Sequence, residues 1–152
     1  MDFKPKRLVR EMDLVQDALI RFYTSRPDDY GLLERSQDAY EKYADYINKY
    51  VPDKNSELLD VGSGTWRIPD TIAGYGYKKV FGLDYFSDEK LREYSAKLKN
   101  KNTNLVSYTD SKIPFAESTF DAVSSLCVIE HLVYPENTLD EMDRVLKIGR
   151  AH

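Results

Sequence analysis

The fold of this chain is decided at residues 58–65, which read Leu58-Leu59-Asp60-Val61-Gly62-Ser63-Gly64-Thr65. A short apolar run typical of a buried strand is followed at once by a turn that contains two glycines. Glycine tolerates positive φ angles and lacks a Cβ, so a ligand can lie directly against the backbone of such a turn. The segment therefore predicts a ligand site at the end of a buried strand.

A second strand, predicted at residues 79–85, ends in a carboxylate. Asp84 follows Gly64 by twenty residues, which places it beside the glycine turn, where it can accept both hydroxyls of a ribose. A Gly-x-Gly turn alone is often only a turn, and an acid after a strand is often only a helix cap. In this order and at this spacing, the two together predict an adenosine site. Because Asp84 ends a strand and lies outside the core, we expect it to contribute little to stability.

The rest of the chain alternates strands with helices. The apolar pattern predicts helices at 8–23, 36–50, 68–75, 87–98 and 135–147, and further strands at 104–109 and 120–128. This alternation implies right-handed crossovers and a mostly parallel sheet, so the predicted fold is an α/β, three-layer Rossmann-like sandwich. We divide it into an N-terminal helical cap, residues 1–52, and an α/β core, residues 53–152, within a single folding unit.

Large side chains mark one face of the helix predicted at 36–50, and they are Tyr40, Tyr43, Ile47 and Tyr50. Such a stripe can line a binding site, but it is more often the face by which an amphipathic helix packs on a core. We therefore interpret these tyrosines as packing residues.

Composition limits the classes of function. The chain has 152 residues and a formal net charge of −4, which gives no electrostatic footprint for a nucleic acid. With one cysteine and two histidines, neither an internal disulfide nor a zinc cluster is expected, which favours a reducing, cytoplasmic location. No apolar run is long enough for a signal peptide or a membrane span, so we expect neither export nor a membrane partner.

The glycine turn distinguishes between two ligands that contain adenosine. A dinucleotide site wants a third glycine three positions after Gly64, near the pyrophosphate, but that position is Arg67, and Trp66 precedes it. S-adenosylmethionine has no pyrophosphate, and its site needs the ligand to approach the backbone closely only at the start of the turn. The sequence thus favours S-adenosylmethionine over NAD, with Trp66 either widening the turn or covering the methionine end.

These features resemble the class I S-adenosylmethionine-dependent methyltransferases, most closely the broad small-molecule branch called type 11. Residues 58–65 look like their first motif, residues 82–84 like their ribose-binding acid, and residues 110–115 like the loop that meets the adenine. Residues 120–132 resemble the fourth strand and its exit, and residues 141–147 the helix that follows. The resemblance implies transfer of a methyl group from S-adenosylmethionine to a small-molecule acceptor. It also implies the strand order 3-2-1-4 for the strands present here.

The resemblance assigns cofactor-binding roles by position. The implied residues are Asp60, Gly62, Ser63, Gly64, Asp84, Tyr85, Asp110, Ser111, Leu126 and Cys127. Asp60 would face the amino group of the cofactor, Asp84 the ribose and Asp110 the adenine amino group. Leu126 and Cys127, at the end of the predicted fourth strand, would line the methionine end. For Asp60 and Asp110, a loop cap and an exposed charge are the alternative interpretations.

His131 is the candidate catalytic residue. A histidine can accept a proton from an acceptor hydroxyl or amine during methyl transfer, and this one lies where the predicted fourth strand opens onto the site. The alternative is a histidine that packs at the start of a helix. With Glu130 it also resembles part of a magnesium-binding Glu-x-x-Glu-His signature. Cys127 replaces the first glutamate of that signature and is a poor ligand for a hard cation, so no metal is expected.

The segment after the last predicted helix departs from the family. Lys147 is followed by Ile148-Gly149-Arg150-Ala151-His152, where the family continues with Pro-Gly-Gly and three further strands. The fourth strand would then be an unprotected edge, which favours pairing with a second copy as a homodimer. Two alternatives to an active enzyme are a truncated, inactive S-adenosylmethionine-binding module and a fragment completed by another chain.

Overall fold

The computed structural model describes residues 6–25, 37–108 and 112–148. The helices are α1 Lys6–Ser25, α2 Gln37–Tyr50, α3 Arg67–Ala73, α4 Asp88–Ala96 and α5 Pro135–Val145, and a 3-10 helix spans Ile129–His131. The strands are β1 Glu57–Val61, β2 Lys79–Asp84, β3 Thr103–Ser107 and β4 Ala122–Ser124. Each helix and strand predicted from the sequence thus has a counterpart in the structure.

Local signals account for where two of the helices begin. Ser87 has extended backbone, and its Oγ accepts a hydrogen bond from the Lys90 N–H at 3.2 Å, which caps α4. Asp88 and Glu89 add negative charge at the positive end of the same helix. Pro135 opens α5, where a backbone N–H would have no partner within the helix.

The four strands form one parallel sheet in the order β3-β2-β1-β4. This confirms the predicted fold class and strand order. In the register, Asp60 of β1 pairs with Gly82 of β2 on one side and with Ser124 of β4 on the other. Because parallel strands end at the same edge of a sheet, the residues that follow β1, β2 and β4 are brought together there.

Hydrophobic clusters cover both faces of the sheet. On one face, Tyr40 and Ala44 of α2 pack in one cluster with Leu58, Ile72 and Val80. The cluster on the other face is built from Leu59, Val61, Leu83, Tyr108, Ile113, Phe120 and Val145. Helix α2, which the sequence placed in the N-terminal cap, therefore contributes directly to the core of the α/β sheet.

The fourth strand is shorter than predicted. The sequence indicated a strand over residues 120–128, but β4 ends at Ser124, and Cys127 adopts a φ of +56° before the 3-10 helix begins. A non-glycine residue with positive φ cannot continue a strand. Leu126 and Cys127 consequently lie in the loop after β4 and not at the end of a strand.

Among the described residues, the outer edge of the fourth strand is engaged only at its start. Phe120 and Leu146 form a parallel bridge, and the Lys147 N–H donates to the Phe120 carbonyl at 2.9 Å. Within the described ranges, β4 itself pairs with β1 and with no other strand. The backbone edge over residues 122–124 is therefore open to a further strand, as the sequence suggested for a longer segment.

Helix α1 is tied to the rest of the fold near the start of α5. Asp13 accepts a hydrogen bond from the Tyr134 hydroxyl at 2.7 Å, whereas Leu14, Val15 and Phe22 of the same helix are exposed. Neither α1 nor another helix in the described ranges has the length and apolar character needed to cross a membrane.

Candidate functional site

The glycine turn is fixed to the end of β2. Gly62 and Gly64 have φ angles of +75° and +69°, and the N–H groups of Gly62 and Ser63 both donate to the Leu83 carbonyl, at 2.7 and 3.1 Å. A Cβ on Gly62 would lie 2.2 Å from a methyl carbon of Val128. Both the backbone angle and the available space therefore require glycine, and the loop after β4 covers the turn at this point.

Asp84 holds the turn and β2 together. Its Oδ2 accepts a hydrogen bond from the Gly64 N–H at 2.6 Å, and its Oδ1 accepts one from the Tyr85 N–H at 2.7 Å. The residue is half-buried. A carboxylate offers about four lone-pair sites, so it can accept more than two hydrogen bonds. They also mean that Asp84 stabilises the fold, contrary to the expectation from its position at a strand end.

Asp60 is a buried carboxylate beside a second one. The residue is 2% exposed, and its Oδ1 accepts a hydrogen bond from the Ser124 Oγ at 2.8 Å. Burial raises the pKa of Asp60 to about 7, the Ser124 hydrogen bond partly opposes this, and the negative charge of Asp84 raises it further. Asp60 is thus not an exposed charge, and the end of β1 concentrates negative charge that a cation would stabilise.

Tyr43 of α2 is a residue of this site that the sequence did not single out. It lies within electrostatic reach of Asp60 and Cys127. Burial, followed by the charge of Asp60, raises the pKa of Tyr43 to about 12, so the phenol stays protonated at neutral pH. The helical spacing of the tyrosines gave no sign that one of them lies near Asp60.

The end of β2 presents an aromatic surface. The rings of Tyr85 and Tyr108 stack, with centroids 4.7 Å apart and planes inclined by 16°, and the Tyr108 N–H donates to the Asp84 carbonyl at 3.2 Å. Tyr85 is one of the cofactor-binding residues that the resemblance implies, and it lies towards the end where the adenine is expected. The other two candidates for that end, Asp110 and Ser111, lie outside the described residues.

The remaining candidates surround the turn. Ser63 is buried, and its Oγ lies 3.0 Å from the position of a Cβ on Gly82, so this side chain faces β2. Leu126 packs against the core cluster shared with α2, whereas Cys127 is exposed. His131 ends the 3-10 helix as an exposed residue, which does not fit the alternative of a packed histidine. Within the described ranges, no group of three or more His, Cys, Asp or Glu residues could hold a metal ion.

Trp66 and Arg67 occupy the positions after the turn with large side chains. The ring of Trp66 lies 5.0 Å from that of Tyr94 in α4, with the Arg67 guanidinium 4.2 Å and the Lys97 ammonium 4.7 Å from the Trp66 ring centre. Arg67 is also the first residue of α3. The third glycine of a dinucleotide turn is thus replaced by Arg67, whose guanidinium lies over the Trp66 ring.

Comparison with known proteins agrees with this geometry. The family described as "Methyltransferase domain" matches residues 59–150. The chain is 32% identical over 142 residues to an uncharacterised methyltransferase of Schizosaccharomyces pombe. The aligned region covers 84% of this chain and 49% of the relative. It is 29% identical over 129 residues to the mitochondrial ubiquinone biosynthesis O-methyltransferase of Dictyostelium discoideum. That aligned region covers 74% of this chain and 39% of the relative. A solved structure from Pyrococcus horikoshii OT3 gives a TM-score of 0.64 at 25% identity, covering 84% of this chain and 61% of that one.

The fold and the glycine turn followed by Asp84 define the class I methyltransferases. The chain belongs to the methyltransferase domain family, in the type 11 branch of that class. It spans half or less of the length of the curated relatives named above. Membership in the family identifies the fold and the class of protein, whereas function depends on the residues around the site.

Proposed function

We propose that this chain binds S-adenosylmethionine at the carboxyl ends of β1 and β2 and transfers its methyl group to a small-molecule acceptor. The observation that carries the proposal is the pair of carboxylates, Asp60 and Asp84, held on either side of the glycine turn. A buried carboxylate next to a second negative charge favours a cationic ligand. The methionine portion of S-adenosylmethionine brings an ammonium group and a sulfonium, whereas the pyrophosphate of a dinucleotide would be repelled.

The residues at the end of each strand would hold different parts of the cofactor. Asp84, at the end of β2 beside the turn, would accept the ribose hydroxyls. Tyr85, backed by Tyr108, would offer a flat face to the adenine. Asp60 would face the ammonium group. When bound, the cofactor supplies a methyl group on a positively charged sulfur. The contribution of the protein is chiefly to hold the acceptor in line with that methyl group.

The acceptor is proposed to be a small molecule that bears a hydroxyl or an amine. The Dictyostelium relative is an O-methyltransferase of ubiquinone biosynthesis by name, which supports an oxygen acceptor. His131, exposed on the 3-10 helix after the loop that covers Gly62, would take the proton if the acceptor must lose one. Methylation assays with a panel of small phenols and amines test turnover. Binding of cofactor without turnover would favour the inactive binding module instead.

The choice of ligand gives the first prediction. We expect titration calorimetry to detect binding of S-adenosylmethionine and of S-adenosylhomocysteine, and binding of NAD that is weaker by at least about tenfold, which corresponds to about 1.4 kcal/mol. The reasons are the two carboxylates and the presence of Arg67 where a pyrophosphate turn needs glycine. Adenosine serves as a control, since it offers the ribose and adenine contacts without the charged methionine portion of the one ligand or the pyrophosphate of the other. Tighter binding of NAD than of S-adenosylhomocysteine would contradict the proposal.

Association through β4 is the second prediction. In the part of the chain that the structure describes, no strand pairs with the outer edge of residues 122–124, and we propose that a second copy of the chain pairs there. Light scattering at increasing protein concentration should then give a mass that rises from that of the monomer to that of a dimer. A monomeric mass across the whole concentration range would show that this edge does not self-associate.

A further inference from the structure

Two charged side chains of α5 bind the backbone at residues 113–115. Arg144 donates from Nε to Oε1 of Glu141 and from Nη2 to Oε2, both at 2.7 Å, so the ion pair is bidentate. Oε2 of Glu141 also accepts a hydrogen bond from the Ile113 N–H at 2.8 Å. Nη1 and Nη2 of Arg144 donate to the carbonyls of Phe115 and Ile113, both at 2.9 Å. The pair thus ties this stretch of backbone to α5.

The pair is partly shielded from water and charged at neutral pH. The side chains of Arg144 and Glu141 are 28% and 19% exposed, so solvent screens their attraction only in part. The hydrogen bond from Arg144 lowers the pKa of Glu141, partial burial opposes this, and the Ile113 N–H lowers the pKa further. A bidentate pair fixes direction as well as distance, and the single ammonium group of a lysine cannot replace the guanidinium in such a geometry.

The backbone that the pair holds belongs to the adenine end of the proposed cofactor site. Ile113 is 1% exposed and lies in the same hydrophobic cluster as Tyr108. Tyr85 and Phe115 pack against this cluster, and the ring of Phe115 meets that of Phe81 in β2 edge-on at 5.2 Å. The stacked tyrosines proposed to face the adenine therefore share their packing with the residues that α5 holds.

The same stretch of chain leads to the residues expected to contact the adenine. Four residues separate Tyr108 from Ile113, and they include Asp110 and Ser111, whose role is implied by the family resemblance. On one side, the Tyr108 N–H donates to the Asp84 carbonyl at 3.2 Å. On the other side, Ile113 is bound to the ion pair. Fixed ends reduce the conformational freedom that ligand binding must otherwise remove.

We propose that Glu141 and Arg144 are positioning residues of the cofactor site, which fix the backbone of Ile113 and Phe115 so that the adenine amino group is recognised in one geometry. This inference rests on the function proposed above. Neither side chain is proposed to touch the cofactor. Helix α5 would thus contribute to selection of the base, whereas Asp60 and Asp84 face the methionine portion and the ribose.

The test measures discrimination between two bases. Calorimetry compares S-adenosylhomocysteine with its hypoxanthine analogue, in which an oxygen replaces the adenine amino group. The parent protein should prefer the adenine ligand by about tenfold or more, as loss of a hydrogen bond to a charged group implies. Arg144→Lys keeps the charge but cannot form the bidentate pair, and it should reduce this preference to about threefold or less. Glu141→Gln, which cannot accept from Arg144 with two oxygens, should act in the same direction.

A second ion pair close to the end of α5 provides the matched control. Lys147 lies 3.1 Å from Oδ1 of Asp121, and no printed contact of this pair involves Ile113 or Phe115. Lys147→Gln removes a bond of the same kind and should keep the parent preference for adenine. Thermal melting of the variants without ligand shows how much stability each one loses. A lower preference for adenine in Arg144→Lys alone among variants of similar melting temperature would assign the effect to the site.

Each outcome decides between the inference and the function on which it rests. A parent-like preference in Arg144→Lys and Glu141→Gln would overturn the positioning role and leave the proposed function intact. Equal weakening of both ligands would also overturn it, since the pair would then act only on the stability of the site. A parent protein that binds both ligands equally would overturn the adenine contact and this inference with it. A parent protein that binds neither ligand would overturn the proposed function itself.

Discussion

Asp60→Asn is expected to stabilise the protein without ligand at about pH 8 and, at the same pH, to weaken the binding of S-adenosylhomocysteine. Both effects come from removing the negative charge of Asp60, which is unfavourable in the protein without ligand and favourable beside a cationic ligand. A charged carboxylate is unfavourable in the buried end of β1, where Asp60 is 2% exposed and faces the charge of Asp84. The same charge would be favourable once an ammonium group lies beside it. Asparagine keeps the shape and the acceptor for Ser124 but never becomes negative.

The pH dependence of stability follows from the raised pKa. Folded protein keeps the Asp60 proton up to about pH 7, whereas the unfolded chain loses it near the ordinary value of 3.8. The folded state therefore binds more protons between these values, and its stability falls as pH rises through that window. With 1.36 kcal/mol for each pKa unit, the fall attributable to Asp60 is on the order of 4 kcal/mol. It is absent below the lower value and complete above the upper one.

Urea unfolding of the parent and of Asp60→Asn across the same pH range measures the effect. The variant should gain stability at the alkaline end and differ little from the parent at the acidic end, while its affinity for S-adenosylhomocysteine falls by about tenfold or more above pH 7. Asp140→Asn, on the exposed surface of α5, serves as the matched control and should change neither quantity. If Asp60→Asn lowers the stability at alkaline pH, the charged carboxylate does not destabilise the protein without ligand. The proposal that Asp60 binds a cationic group of the ligand would then lose its support.

The central part of the fold could be predicted because its signals are local and mutually consistent. The glycines at 62 and 64 have the positive φ angles that the motif implies, and Asp84 lies beside Gly64 as the spacing of twenty residues required. The order of the four parallel strands also agrees with the prediction. Glycine itself permits the backbone conformation of such a turn, so the motif predicts the local structure.

Features that depend on distant contacts could not be predicted. The end of β4 looked like a strand up to Val128, but Val128 instead packs over Gly62, and the chain bends at Cys127. Helical periodicity placed Tyr43 on the packing face of α2 without showing that its phenol lies within electrostatic reach of Cys127, more than eighty residues later. Residues 110 and 111 were assigned by resemblance, and they lie outside the described residues. Side-chain partners across such separations are set by the register of the sheet and not by the local pattern.

Asp84→Ala is expected to reduce the affinity for S-adenosylhomocysteine by at least about tenfold, because hydrogen bonds to a charged group are worth about 1.5–3 kcal/mol each and the ribose would lose both. Unlike Asp60→Asn, this change should also lower the melting temperature of the protein without ligand. The N–H groups of Gly64 and Tyr85, at 2.6 and 2.7 Å from the carboxylate, would lose their acceptor, and the turn would lose its tie to the end of β2. Asp84→Asn retains one acceptor oxygen and should fall between the parent and the alanine variant in both measurements.

A control for the loss of stability has to lie far from the site. Thr103 begins β3 at the opposite edge of the sheet, and its Oγ1 is hydrogen-bonded to the buried Asp70 at 2.8 Å. Thr103→Val removes that bond and should destabilise the fold by about 1 kcal/mol or more, since it leaves a buried acceptor with one partner fewer. Calorimetry well below both melting temperatures should then show parent affinity for Thr103→Val and the loss for Asp84→Ala. Equal affinities in these two variants would mean that Asp84 stabilises the glycine turn without binding the ribose. Other residues would then hold the ribose.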